Sequence, residues 1–349
     1  MDLRTLLKVA SEKKASDLHV TVGSVPVVRI DGRLIPLSDF PVLSREDCKR
    51  LVYSALNDKQ KATFERDLEL DFSLEIPGLH RFRVNAHMQR GNVEAAFRLV
   101  SLRVKSIQEL SLPGVIEEFC RKTQGLVLIT GPTGVGKTTT LAAMVDFINN
   151  ERQGIIIVIE DPIEFVHSNR RCIVKQREVH SDTRSFAKAL THALRQDPDV
   201  IVVGELRDLE TISTALTAAE TGHLVLATLH TPDASQTIDR VIDVFPPYQQ
   251  QQVKIQLAST LQAVVSQQLL PRSDKAGRTL STEIMVATPA IRNLIREHET
   301  EQLLTHIQTG FQYGMHTMDK SLKILFQRGM ISEQTFKTYM KNPDEVRNL

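Results

Sequence analysis

Long apolar runs are missing from this 349-residue chain. The longest, residues 155–159 and 200–203, fall far short of the roughly 20 residues that cross a bilayer as a helix, so work at a membrane requires recruitment by a partner rather than direct insertion. The opening Met1-Asp2-Leu3-Arg4 carries no signal-peptide pattern. Cysteine is scarce. Cys48, Cys120 and Cys172 are widely spaced, odd in number and form no C-x-x-C pair, which argues against a disulfide framework and a zinc site and for reduced thiols in a cytoplasmic protein. A basic excess is also absent, with 43 Lys and Arg against 42 Asp and Glu, so the composition does not suggest nucleic acid as a partner. What remains is an ordinary globular composition, 41% hydrophobic and 24% charged, in a chain long enough for two domains each with its own core.

The two halves follow different patterns. Leu3, Leu6, Leu7 and Ala10 predict a short amphipathic helix, followed by strands at residues 17–22 and 26–30, the second ending at an Asp31-Gly32 turn. Ser44 and Asp47 predict a helix cap ahead of Leu51, Val52 and Leu56, and residues 68–74, 82–88 and 94–100 read as further strands. Hairpin-linked strands with helices outside them imply an antiparallel sheet domain over residues 1–100, and the polar stretch 101–113 reads as a linker. In the second domain, residues 114–349, the pattern changes from Gly125 onward: short buried-type strands at 126–130, 155–159, 200–203 and 224–228 alternate with helix patterns and predict a parallel α/β sheet. Beyond Pro246 the chain reads as helices, at 249–270, 290–297, 301–308, 318–327 and 332–340. Ligands of parallel sheets collect at the C-terminal strand ends, which directs attention to 131–138, 160–164, 204–207 and 229–230.

The first of these segments is the most specific. Gly131, Pro132, Thr133, Gly134, Val135, Gly136, Lys137 and Thr138, followed by Thr139, fit the pattern G-x-x-x-x-G-K-[ST] between an apolar strand and a helix. Glycines let backbone N–H groups close around phosphates, Lys137 reaches the β and γ oxygens, the Thr138 hydroxyl can ligate Mg²⁺, and the helix N-terminus favours an anion. A nucleoside triphosphate with Mg²⁺ is the expected ligand. Asp199-Val-Ile-Val-Val-Gly-Glu205 resembles a Walker B strand whose acid stands one residue beyond a glycine, so Glu205 is the candidate for the Mg²⁺ shell or for water positioning, and Asp199 reads as a turn or cap. In Glu160-Asp-Pro-Ile-Glu164, Glu160 and Glu164 compete to orient the attacking water, and spacing does not separate them. His223 starts and His230 ends the 224–229 strand; only His230 reaches the active edge, where an imidazole can report the γ-phosphate. An arginine finger is not evident near the loop. Arg81, Arg83 and Arg98 of the first domain, supplied by a neighbouring subunit, are candidates, with Arg195 and Arg207 as alternatives; solvated sheet arginines give the same pattern.

The ordered set of phosphate loop, Glu160-Asp-Pro-Ile-Glu-Phe-Val-His167, Gln176-Arg-Glu-Val179, Gly204-Glu-Leu-Arg-Asp208, Thr221-Gly-His-Leu224 and Ala227-Thr-Leu-His230 resembles the secretion ATPase superfamily of type II secretion and type IV pili. Within it the chain is similar to the pilus-retraction (PilT) family, from Ala15-Ser-Asp-Leu-His19 to the C-terminal helices. The resemblance implies a PAS-like N-terminal domain, a RecA-like ATPase domain, and a homo-hexamer at the inner membrane, acting with a pilus platform protein and in some systems a paralogous retraction ATPase. It further implies that Glu164 and Glu205 are the hydrolytic acids, that 221–230 is a His box, and that first-domain arginines act across subunits. Leu206 and His80 depart from the family pattern without replacing a catalytic group. Ala290-Ile-Arg-Asn-Leu-Ile-Arg-Glu297 resembles the family's retraction signature, and Arg292 with Arg296 suggests a surface that delivers motion, while Ile291, Leu294 and Ile295 serve packing. Assembly or secretion ATPases, an accessory PilU-type retraction ATPase and a non-hydrolysing nucleotide-gated scaffold are the competing readings.

Overall fold

A computed structural model describes the chain except for residues 31, 80, 101, 102 and 342–349, so Asp31 of the expected turn, His80 and the start of the 101–113 stretch lie outside the described residues. The chain forms two compact units, one of Met1–Arg103 with Glu164–Val166, the other of Val104–Ile163 with His167–Leu349.

In the first unit six antiparallel strands lie in the order β3-β2-β1-β6-β5-β4: β1 (Asp17–Val20), β2 (Val27–Ile30), β3 (Arg33–Pro36), β4 (Glu69–Glu75), β5 (Arg81–Gln89) and β6 (Asn92–Leu99). Alternation decides which face is buried: Phe82, Val84 and Ala86 of β5 point into the core while Arg83 and Asn85 stay in solvent. Helix Leu3–Glu12 contributes Leu3, Leu6, Leu7 and Ala10, and starts where the Asp2 side chain accepts from Thr5 N at 2.7 Å. Ser44 and Asp47 form the reciprocal cap of helix Arg45–Tyr53. Two elements escaped the sequence reading. All four residues of β3 are exposed, which leaves no alternation to read, and helix Asp58–Asp67 buries only Phe64, although its Asn57/Gln60 capping box was a usable signal.

In the second unit seven strands lie in the order β13-β12-β7-β11-β10-β8-β9: β7 (Gly125–Thr130), β8 (Gly154–Glu160), β9 (Cys172–Glu178), β10 (Val200–Val203), β11 (Leu224–Leu229), β12 (Leu261–Pro271) and β13 (Arg278–Val286). Six are parallel and β13 is antiparallel to β12. Both faces are covered. Leu126 and Leu128 of β7 join a cluster with Leu190, Leu216, Ile238 and Ile291, while Val127 and Ile129 join another with Ile116, Leu141 and Ile148.

The all-helical reading beyond Pro246 is corrected here. Helix Pro247–Thr260 gives way at Leu261 to β12 and β13. Gln-rich sequence carries good helix propensity, but Ser266 and Gln267 are buried in a central strand, where the Ser266 hydroxyl accepts from Thr130 at 2.9 Å and Gln267 Nε2 donates to the Thr140 hydroxyl at 2.7 Å. The 101–113 stretch differs from a solvated linker as well, since Ile107 and Leu112 are buried with Ile116 and Phe119 in the second unit.

Helix Pro289–Glu297 buries Ile291, Leu294 and Ile295 as expected, but its two arginines have different surroundings. Arg292 donates from Nη1 to the carbonyls of Ala258 and, at 2.7 Å, Ser259, the unpaired C-terminal carbonyls of helix Pro247–Thr260. Arg296 is exposed. Arg292 is thus an internal cap rather than part of a delivery surface. Arg292→Ala is expected to destabilise the chain by about 1–3 kcal/mol, the scale of hydrogen bonds to a charged group, and Arg296→Ala by less than about 0.5 kcal/mol, as read by denaturant unfolding.

Burial pushes the Asp17 carboxyl up, but the Ser16 hydroxyl and the Arg98 guanidinium, each at 2.8 Å, outweigh it and hold the group below its ordinary value. A depressed carboxyl stabilises fully above its unfolded pKa, and the contribution is lost as pH falls through the folded one. The stability gap between wild type and Asp17→Asn is therefore expected to be largest near neutral pH and to shrink toward about pH 3, as measured by chemical unfolding at each pH.

Candidate active site

The loop after β7 is shaped by three glycines in the left-handed region, Gly131 (φ 135°), Gly134 (φ 82°) and Gly136 (φ 93°). Gly131 is doubly constrained: a Cβ there would lie 2.4 Å from the carbonyl oxygen of Gln267, because the β12 backbone passes directly against the loop. Gly136 caps helix Lys137–Glu151 without a side chain, which leaves its first-turn N–H groups free of a capping acceptor. Lys137 is buried and its Nζ donates to the carbonyls of Gly131 at 2.6 Å and Pro132 at 3.0 Å. Burial draws its pKa down despite the nearby Glu205 carboxylate. Thr138 and Thr139, half-buried, follow in the first turn.

Because β7, β8, β10 and β11 are parallel, their C-terminal ends share one edge of the sheet. Gly204 follows β10 and allows close packing, since an added Cβ would lie 3.2 Å from the Ile159 carbonyl oxygen and 3.3 Å from Glu160 Cα. The Thr228 hydroxyl donates to the Gly204 carbonyl, and Leu206 N donates to the Thr228 carbonyl at 3.0 Å, so the 204–206 loop is tied to the end of β11 at two points.

Glu205 rides on that loop. Its Oε1 accepts from His230 Nε2 at 3.1 Å and its Oε2 from Arg207 Nη2 at 2.7 Å. Burial alone would raise this carboxyl, but the Arg207 hydrogen bond and the His230 ring outweigh it and hold the group below its ordinary value. The other ring nitrogen of His230, Nδ1, faces the Thr133 hydroxyl at 3.3 Å and Lys137 Nζ at 3.4 Å. Arg207, Glu205, His230, Thr133 and Lys137 thus form one connected polar chain from the β10 end to the phosphate loop.

The other candidates sit elsewhere. Glu160, the last residue of β8, is buried and accepts from Gln176 Nε2 at 3.3 Å. Glu164 is exposed and belongs, with Val166, to the first unit. Arg81, Arg83 and Arg98 also belong to that unit: Arg81 lies 3.9 Å from Glu75, Arg98 is held by Asp17, and Arg83 is exposed and opposite Arg98 in the strand register. His223 stands at the far end of β11 against the Ala218 carbonyl, at 3.0 Å, and Arg195 is exposed. Asp199 accepts from Ile155 N of β8 at 2.7 Å, a contact to the neighbouring strand rather than the local turn or cap expected of it. The sequence reading missed a cavity of about 350 Å³ that opens beside Gly136 and Thr139 and is lined by Lys105, Leu110, Leu269 and Arg278. One of its walls comes from the β12–β13 hairpin, which the helical reading of that region concealed. Apolar side chains beside basic ones suit the base and ribose of a nucleotide whose phosphates lie on the loop.

The family model for type II/IV secretion system proteins matches residues 2–336. The chain belongs to that family. It is 49% identical to the type IV pilus retraction ATPase PilT of Pseudomonas aeruginosa, with 99% of each chain covered, and 39% identical to the type IV pilus ATPase PilU of the same organism, with 99% of this chain and 91% of PilU covered. A crystal structure of the pilus retraction motor PilT with bound ADP matches with a TM-score of 0.94 at 45% identity, covering 100% of both chains. The mixed α/β architecture is therefore that of the family, an antiparallel N-terminal sheet followed by a largely parallel one.

The tight approach at Gly131 yields a direct test. Gly131→Ala is expected to displace the loop from β12 and weaken binding of a fluorescent ADP analogue by at least about tenfold, with the fold retained by circular dichroism. Wild-type affinity in this variant would show that the contact does not shape the loop.

Proposed function

We propose that this chain is an ATP hydrolase that powers type IV pilus retraction, and hence twitching motility, as a cytoplasmic homo-hexamer recruited to the inner membrane by the pilus platform protein. The observation that carries the reading is the convergence of Lys137, His230 and Glu205 at one strand edge, in a chain 49% identical to a retraction ATPase over almost its whole length. The lower identity to PilU favours the retraction motor over the accessory role.

In this reading residues 131–139 cradle the phosphates, Lys137 neutralises the β and γ oxygens, and the cavity beside Thr139 takes the nucleoside. The Thr138 hydroxyl and the ionised Glu205 carboxylate are hard oxygen donors that fit Mg²⁺, a cation usually held by one or two protein oxygens together with phosphates. When bound, the metal offsets the charge that develops on the phosphates. Glu164 orients the water, His230 reports the γ-phosphate to Glu205, and Arg81, Arg83 or Arg98 reach the site of a neighbouring subunit. Residues 1–100 form a PAS-like domain, and 114–349 form the RecA-like motor with its C-terminal helices.

Lys137→Ala is expected to abolish phosphate release from ATP, and Glu164→Ala to lower turnover by at least about a hundredfold with nucleotide binding retained. Measured in parallel, a larger loss in Glu160→Ala would transfer the water-orienting role to Glu160. Cells lacking the gene are expected to be hyperpiliated and unable to twitch, and bald cells would instead indicate pilus assembly.

A further inference from the structure

Both oxygens of the Glu205 carboxylate are engaged, one by His230 and the other by Arg207. A glutamate side chain held at one oxygen can still swing about its remaining bonds, whereas contacts at both oxygens fix the carboxylate plane. The Arg207 backbone is well placed for this. Leu206 before it is hydrogen-bonded to Thr228, and Asp208 after it caps helix Leu209–Glu220 by accepting from Thr211 N at 2.9 Å. The guanidinium also lies in the field of the Asp161 carboxylate, which stands just beyond β8. The Arg207 side chain is 63% exposed against 19% for Glu205, and an ion pair with such access to water adds only about 0–1 kcal/mol to stability. Stabilising the fold is therefore a poor account of the pair.

We propose that Arg207 is a positioning residue acting in cis: it fixes the Glu205 carboxylate with Oε1 on His230 and the acid presented at the strand edge, rather than serving as a finger for a neighbouring subunit. The proposal rests on the reading that the chain binds and hydrolyses ATP with Mg²⁺. The guanidinium is engaged within its own loop, on the acid of its own subunit's site.

The test compares Arg207→Ala and Arg207→Lys with wild type, and Arg207→Gln stands in should the alanine variant fail to fold. Expected for Arg207→Ala are a kcat lowered by about 10- to 100-fold, a KM for ATP within about threefold of wild type and an unchanged melting temperature. Arg207→Lys should recover part of the loss, because an ammonium restores the charge without the planar fork. Mixing Arg207→Ala with Lys137→Ala subunits separates cis from trans action. A finger would be restored at interfaces where the Lys137→Ala subunit supplies the arginine, whereas a cis positioning residue gains nothing. Recovery in the mixture, a raised KM at normal kcat, or wild-type kinetics would each overturn the proposal. A binding arm is independent of turnover: Mg²⁺ should tighten a fluorescent ADP analogue at least about threefold less in Arg207→Ala than in wild type, with affinity in EDTA unchanged. Equal tightening by Mg²⁺ overturns the positioning role even if wild type releases no phosphate, a result that would separately overturn the hydrolase reading.

Discussion

The close contact between the β12 backbone and the loop after β7 governs the geometry of the second unit. It requires glycine at residue 131, it sets the path by which the chain turns from strand to helix, and it brings Gln267 beneath Thr140 at the start of that helix. β7 itself offers little freedom to relax. All six of its residues are buried, with β11 on one edge, β12 on the other and apolar clusters over both faces. A loop that must surround phosphates with backbone N–H groups gains from such a rigid base, because the donors are positioned before the ligand arrives.

Much of this was legible in the chain itself. The phosphate loop reads from sequence because each of its residue types has a separate physical task, and the strands at 155–159, 200–203 and 224–228 read because parallel strands covered on both faces are continuous apolar runs. The positions of Glu205 and His230 followed from the rule that parallel strand ends share an edge. What did not follow was the third layer of contacts. That Arg207 grips Glu205, or that Thr133 reaches His230, depends on side-chain directions at loops whose paths are set by distant neighbours such as Thr228.

The misreading of β12 has an equally local cause. Buried Ser266 and Gln267 look wrong for a central strand when judged by hydrophobicity, and the partners that offset part of the cost of their burial, Thr130 and Thr140, lie more than a hundred residues earlier. Once β12 is read as a helix, the hairpin with β13 disappears, and with it the basic and apolar wall of the cavity beside Thr139. Arg292 teaches a similar lesson: in sequence it belongs to the exposed charge of an amphipathic helix, yet its partners are carbonyls at the end of the preceding helix.

The two ties between the 204–206 loop and the end of β11 have a mechanical consequence. They weld the tips of β10 and β11 into one stiff piece, so the acid and the imidazole are carried together and their spacing is insensitive to strain applied elsewhere in the unit. The contacts from His230 to Thr133 and Lys137 are two longer ones, 3.3 and 3.4 Å, between that piece and the phosphate loop, and are the compliant joint of the assembly. Force transmitted through this edge would therefore register first as a gap opening at Thr133, with the machinery on either side keeping its shape.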